Sequence, residues 1–298
     1  MKTKILIDTD LGDDADDAAA LIMSLHSPEL EILGITTVLH NTRKRAAMVL
    51  DLLRRYGRND IPVHCGYGRP LIERLPYEES PVQYAILPDD RGVPEGDEND
   101  AVGFIIRTAA EYQDVTIVEM GPMTNLGMAF YRAPDIMKSV RVVAMGGDFA
   151  GGGTEWNMQC DPEAARLVMD GAGRLEMFGL DVTKHLLVTP EFLEQLCPPD
   201  NECMAYWRSG AKIYCETTGW KLMLHDALPI AYLIDPSVAR LRRGDYTIEL
   251  SGALTRGSIV SKTDIYEIEP ESERDFFYAY AEGLNKEQFY ELVKERLY

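Results

Sequence analysis

Short apolar runs alternate with longer stretches of helical period from the first residues onward. Residues 4–7 and 31–38 read as strands, and residues 16–26 between them read as a helix. Residues 41–56 form a second helical stretch, with Ala46, Val49, Leu50 and Leu53 on one side and Arg43, Lys44 and Arg54 on the other. Further strands are expected at 61–64, 115–120, 141–145 and 174–180, mostly separated by helical segments. Two helix starts are explicit. Asp161-Pro162-Glu163 and Thr189-Pro190-Glu191 each set a capping side chain before a proline at the first helical position. Near the C-terminus, residues 246–268 look strand-rich and 273–298 look helical. This β-α-β-α rhythm predicts an α/β fold with an open, mainly parallel sheet flanked by helices. No repeat, low-complexity tract or linker divides the chain, so one domain over residues 1–298 is expected. In such a sheet, ligands gather beyond the carboxyl ends of the strands, so the residues after each strand matter most.

Composition narrows the partners. Of 298 residues, 49 are acidic and 30 basic, a net charge of −19, while 46% are hydrophobic. That is a globular composition. Its acid excess disfavours nucleic acid, which is held by basic residues, and it disfavours anionic membrane surfaces. No apolar stretch approaches the roughly 18 residues of a membrane span. The N-terminus begins like a signal peptide, but its apolar run stops at Asp8 after three residues, too short for such a segment. The five cysteines are odd in number and form no Cys-x-x-Cys pair, which predicts a reduced thiol set and a cytoplasmic location. Residues 71–100 form an unusually long loop ending in an acid-rich stretch over 89–100, read as a solvated surface.

One acidic stretch resists that bland reading. Six of the ten residues from Asp8 to Asp17 are aspartates, directly after the first strand and before an apolar helix. Carboxylates at a helix N-terminus contribute about 0.3–1 kcal/mol each, which accounts for two or three of them. Six crowded carboxylates repel and raise one another's pKa. A hard divalent cation relieves that repulsion, and all-oxygen ligation suits Ca²⁺ or Mg²⁺ better than Zn²⁺. Gly121-Pro122-Met123-Thr124-Asn125 ends another strand, where a backbone carbonyl can face such an ion. His225-Asp226 sets an imidazole beside a further carboxylate.

An ordered set of motifs extends beyond these acids. Asp8-Thr9-Asp10-x-Gly12, Asp16-Asp17 running into Ala18-Ala19-Ala20-Leu21, and Ile35-Thr36-Thr37-Val38 followed by Asn41 come first. Gly121-Pro122-x-Thr124-Asn125, Met145-Gly146-Gly147, and Glu155-Trp156-Asn157 leading to Asp161-Pro162-Glu163 come next. His225-Asp226 before Ala231-Tyr232-Leu233-Ile234-Asp235-Pro236 closes the series. Together, over roughly residues 4–240, they resemble the inosine–uridine-preferring nucleoside hydrolase family. The resemblance implies a Rossmann-like core, Ca²⁺-dependent cleavage of the N-glycosidic bond of ribonucleosides, a role in nucleoside salvage, and a homodimer or homotetramer. It implies that Asp10 holds the metal and acts as base on its water. Asp17 and Asp226 would be further ligands, with Asp8 close by and the Thr124 carbonyl completing the shell. Asp16, Asn41, Glu155 and Asn157, with Asp226 beside them, would meet the ribose, and His225 would be catalytic, facing the leaving base as a protonated imidazole that assists its departure.

The chain also departs from the family pattern. Leu11 stands where the family has proline, and two extra acids, Asp13 and Asp14, precede the Asp16-Asp17 pair, leaving Asp14 as a rival ligand. Residues 148–154 are a shortened loop without the asparagine that would hold the ribose 5′ end. The His-Gly step many members carry after the third strand is absent. Tyr206, Trp207, Tyr214 and Trp220 suit either base stacking or helix packing. Two other readings remain open from sequence: a haloacid-dehalogenase-like phosphatase, which shares the strand-then-Asp-x-Asp start, and a non-catalytic ribosyl-binding relative.

Overall fold

Ile5, Leu6 and Ile7 are fully buried, because the first strand lies at the centre of the sheet and packs on both faces. The computed structural model describes residues 2–72, 76–87, 100–151, 153–196, 204–219, 221–262 and 277–297. Trp220, Cys197, Cys203, acid-rich residues 89–99 and residues 263–276 lie outside them. The first half runs β1 (Thr3–Thr9), α1 (Asp16–Leu25), β2 (Leu30–Thr37), α2 (Thr42–Arg55), β3 (Val63–Cys65), α3 (Asp100–Glu111), β4 (Thr116–Glu119), α4 (Thr124–Arg132), α5 (Pro134–Met137) and β5 (Arg141–Met145). It continues through α6 (Trp156–Cys160), α7 (Pro162–Gly171), β6 (Arg174–Phe178), α8 (Leu180–Thr183), α9 (Pro190–Leu196), α10 (Ala205–Thr218) and α11 (Ala227–Ile234). The chain closes with β7 (Ala239–Arg243), β8 (Tyr246–Ile248), β9 (Ile259–Ser261), β10 (Phe277–Leu284) and α12 (Lys286–Leu297).

The main sheet has the order β3-β2-β1-β4-β5-β6-β10-β7. All its pairs are parallel except β10 with β7. Side chains alternate across each strand, so Ile5 and Ile7 join the core under α1, α10, α11 and α12, while Leu6 joins the core under α3, α4 and α7. From β1 the chain winds one way through β2 and β3, then returns to the other side of β1 for β4, β5 and β6. The direction reverses between β1 and β4, which opens a crevice at their carboxyl ends. The six aspartates follow β1 there.

The expected strands and helices through residue 180 are present, with ends shifted by one or two residues. The C-terminal expectation needs correction. Residues 277–284, read as helical, form β10, inserted between β6 and β7. Ala279, Tyr280 and Ala281 are buried there, a segment whose burial comes from the waiting edge of β6 and not from its own periodicity. β7, rich in arginine, is the antiparallel edge strand, and charge suits an edge. Among the described residues no helix is long and apolar enough to cross a membrane.

α4 and α7 meet backbone to backbone. A Cβ on Gly127 would stand 2.7 Å from Ala164 Cα and 2.9 Å from Ala164 O, so the helices approach only because no side chain intervenes. Gly127→Ala is expected to cost about 1–3 kcal/mol by overpacking, read as a lower urea midpoint at unchanged m-value. An unchanged midpoint would show that the contact yields freely.

Candidate functional site

Strand register builds the floor of the crevice. Asp8 lies opposite Thr36 on β2 and Glu119 on β4, placing three polar side chains in one row at the sheet's carboxyl end. Thr36 Oγ1 donates to Asp8 Oδ1 at 2.5 Å, and Asn125 Nδ2 donates to both Asp8 oxygens at 2.9 and 3.2 Å. Burial pushes the Asp8 carboxyl up to about 6 against those bonds. Glu119 is fully buried, and burial, then the Asp8 charge, favours its protonated form. Asp8 is thus held by the protein floor and lies outside the tight carboxylate group described below.

Above the floor, two helix N-termini converge. Asp16 and Asp17 open α1, whose N-cap position is Ala15 and receives no side-chain cap. Asp226 holds the N-cap position of α11, also without a side-chain cap, and its main-chain N–H donates to Asp16 Oδ2 at 3.0 Å. Helix capping therefore does not account for these acids, although the positive helix ends favour negative charge beside them. Asp17 Oδ1 accepts from the Thr9 hydroxyl, which in turn accepts from Leu11 N at 3.1 Å. Carboxylate oxygens of Asp14, Asp16, Asp17 and Asp226 all lie within 4.8 Å of one another.

This crowding has an electrostatic signature. Burial, then neighbouring Asp16 and Asp17, pushes Asp226 well above the carboxylate range; burial, then Asp10 and Asp14, does the same to Asp17. Asp14 is raised by burial and then by Asp16. Burial lifts Asp10 to about 8 against the pull of Arg45, and lifts Asp16 to about 6. Asp16 Oδ1 is buried and finds no hydrogen-bond donor. A buried acceptor without a donor, among three other carboxylates, fits a hard cation.

Of the expected ligands, Asp17 and Asp226 stand in the tight group, joined by Asp16 and by the rival Asp14. Asp10 stands close enough to raise Asp17 electrostatically but outside the group. Gly121 explains how the β4 end reaches Asp10: a Cβ there would lie 3.2 Å from Asp10 Oδ1 and 2.6 Å from Val38 Cγ1. Thr124 opens α4, and its hydroxyl donates to buried Asp161 at 2.7 Å.

Of the expected sugar-binding residues, Asp16 and Asp226 lie in the cluster, and the others are tied to neighbouring elements. Asn41 caps α2, accepting from Lys44 N at 3.1 Å while donating to Glu79 O at 3.1 Å. Glu155 caps α6 and accepts from Gly147 N at 3.0 Å, which fixes the short loop after β5. Asn157 Nδ2 donates to Met120 O at 3.0 Å, tying α6 to the β4 end. His225 is half-buried, with Nδ1 and Thr183 Oγ1 2.8 Å apart, and burial pushes its imidazole down to about 4, so it is neutral at pH 7. Trp207 is fully buried in the core and donates to Ala15 O at 2.6 Å; Tyr206 and Tyr214 are buried with it, as helix packing requires.

Sequence reading missed Glu119, Gln83, Thr183 and Arg45. Glu119 left a signal, a lone acid within the apolar run 115–120. Arg45 left none, since Arg43-Lys44-Arg45 reads as a solvated helix face.

A family model described as inosine-uridine preferring nucleoside hydrolase matches residues 5–291. The inosine-uridine preferring nucleoside hydrolase of Crithidia fasciculata is 33% identical over 286 residues, 88% of each chain. The pyrimidine-specific ribonucleoside hydrolase of Salmonella enteritidis is 33% identical over 279 residues, 87% of this chain and 88% of that one. Among solved structures, a plant nucleoside hydrolase superposes with a TM-score of 0.85 at 27% identity, covering 100% of this chain and 99% of the other. A purine-preferring ribonucleoside hydrolase from Gardnerella vaginalis gives 0.81 at 27% identity, covering 99% and 98%.

The raised carboxyls predict how stability depends on pH and metal. Asp8 and Asp16 at about 6 and Asp10 at about 8 hold protons in the folded chain that the unfolded chain, near 3.8, has released. Their contribution is complete below about pH 4 and is lost as pH rises through 6 to 8. A divalent cation bound beside Asp10 and Asp16 would replace the protons on those two. The rise in melting temperature on adding Ca²⁺ to chelator-treated protein is therefore expected to be small near pH 5 and large near pH 8. An equal rise at both, measured by differential scanning fluorimetry, would contradict this picture.

Proposed function

Because the chain belongs to the inosine-uridine preferring nucleoside hydrolase family, and so is a hydrolase acting on N-glycosyl compounds, we propose that it cleaves ribonucleosides to ribose and free base with Ca²⁺ as its cofactor. The observation that carries the metal is the donor-less Asp16 Oδ1 amid the carboxylates of Asp14, Asp17 and Asp226. Asp17 and Asp226 would hold the ion, with Asp10 and the Thr124 carbonyl reaching it from the β1 and β4 ends. When bound, the cation supplies charge that acidifies a water and orients vicinal hydroxyls.

The protein's own groups do the rest. Asp10 stands beside the cluster, and a cation bound there would hold its carboxylate deprotonated and so able to take the proton from the attacking water. Cleavage builds oxocarbenium character on the sugar, and a pocket walled by carboxylates stabilises that positive charge. Asp16, Asn41, Glu155 and Asn157 meet the ribose hydroxyls in this reading. A 2′-deoxy substrate would withhold a hydroxyl from these groups and would be penalised for it. His225 faces the leaving base as a neutral imidazole oriented by Thr183, offering a hydrogen bond to the departing nitrogen. The same carboxylate wall is a poor seat for a phosphate dianion, which sets the phosphatase reading aside. A cytoplasmic homodimer or homotetramer belongs to the same proposal.

Free ribose released from a panel of purine and pyrimidine ribonucleosides, with and without chelator, tests this reading. Turnover is expected on at least one ribonucleoside, lost with chelator and restored by Ca²⁺. No release from any would overturn it. Asp10→Asn is expected to lower kcat by about 10²–10⁴-fold, the loss typical of general-base removal. A kcat near that of the unmodified chain would remove Asp10 from the role of base.

A further inference from the structure

Arg45 is fully buried, and its guanidinium fork is engaged on every side. Nε donates to Leu39 O at 2.8 Å, Nη1 to the carbonyls of Asp10 and of Leu11 (3.1 Å to the latter), and Nη2 to Asp13 Oδ2 at 2.6 Å. These acceptors belong to two strand ends. Asp10, Leu11 and Asp13 follow β1, whereas Leu39 follows β2 and lies two residues before Asn41. Leu39 and His40 sit at φ of 69° and 54°, a left-handed conformation that non-glycine residues seldom adopt and that needs external support.

We propose that Arg45 is the positioning residue of this site: its buried guanidinium, anchored by Asp13, ties the main chain of Asp10 and Leu11 to the Leu39 turn and so sets where the Asp10 carboxylate stands relative to Asn41. Only arginine suits the position, because a planar fork reaches four acceptors at fixed angles while an ammonium does not. The extra acid Asp13 thereby has a use that is not ligation. Its carboxylate turns away from the cluster as the counterion that lets a cation be buried beside the metal site. The rest of the loop is held in the same manner. Gln83 N donates to Gly12 O at 2.7 Å, the Gln83 amide to Asp14 O, and Trp207 to Ala15 O. The loop's carbonyls face outward into protein donors, and the carboxylates of Asp14, Asp16 and Asp17 are left to converge.

The inference rests on the hydrolase reading, and its test separates the two. Arg45→Lys keeps the charge and loses the fork, Arg45→Met loses both, and Asp13→Asn keeps the arginine without its anchor. The full chain of each would be measured for melting temperature, for kcat and KM on the ribonucleoside the unmodified protein cleaves best, and for Ca²⁺ affinity by titration calorimetry after chelator treatment. Arg45→Lys is expected to lower kcat by about 10²-fold with KM within a few-fold, as for a displaced catalytic group. It is expected to weaken Ca²⁺ binding by about tenfold or more, as when a ligand's support is removed. A folded Arg45→Lys protein with a lowered melting temperature but unchanged kcat and Ca²⁺ affinity would overturn the proposal in favour of a purely structural arginine. Should both Arg45 variants fail to fold, Asp13→Asn decides: weaker Ca²⁺ binding with an unchanged melting temperature supports the role, and unchanged binding overturns it. If the unmodified chain releases no ribose, the hydrolase reading fails, while the Ca²⁺ titrations still judge Arg45.

Discussion

Mutual repulsion among buried carboxylates at the reversal between β1 and β4 is the constraint on which the rest of this structure depends. Asp14, Asp16, Asp17 and Asp226 lie within one small sphere, and Asp8, Asp10 and Glu119 stand immediately beside or beneath it. Such a cluster persists in a folded chain only if its surroundings offset the repulsion. Thr9 and Thr36 hydroxyls, the Asn125 amide, two helix N-termini and the Arg45 guanidinium each do so in part. What they leave unmet is the Asp16 oxygen without a donor, and that remainder has the chemistry of a cation site.

The same arrangement relates fold to function. A parallel sheet gathers the ends of its strands on one side, and a change of winding direction opens the crevice there. β1 delivers the acids, β4 delivers Gly121 and Thr124, β5 leads to Glu155 and Asn157, and the N-terminus of α11 brings Asp226 from more than two hundred residues away. The net charge of −19 is therefore not one property. Part of it is concentrated in the carboxylate cluster that follows β1, and the rest is spread along the chain.

Much of this was legible in the sequence because local chemistry and global fold agree there. The Ile5-Leu6-Ile7 run before six aspartates marks a buried strand ending in a site, and Asp161-Pro162-Glu163 marks a helix start that is present as expected. Legibility failed where burial is decided by distant partners. Residues 277–284 become a strand because the edge of β6 is available to them. Arg45 sits among basic neighbours on a helix that shows no sign of turning one guanidinium inward. The pairing of Asp13 with Arg45 separates two adjacent acids, since Asp14, the one the sequence singled out as a rival ligand, enters the cluster and Asp13 does not.

The central claim is that these carboxylates converge on one cation, which a base just after β1 then uses. A crystal structure of the chain grown with Ca²⁺ and a ribonucleoside analogue tests it most directly. The account predicts one ion held between Asp17 and Asp226, with Asp10 within hydrogen-bond reach of a water beside the sugar's anomeric carbon and Asp13 still paired with Arg45. An ion bound elsewhere, or an ion in the cluster with Asp10 turned away from the sugar, would contradict it.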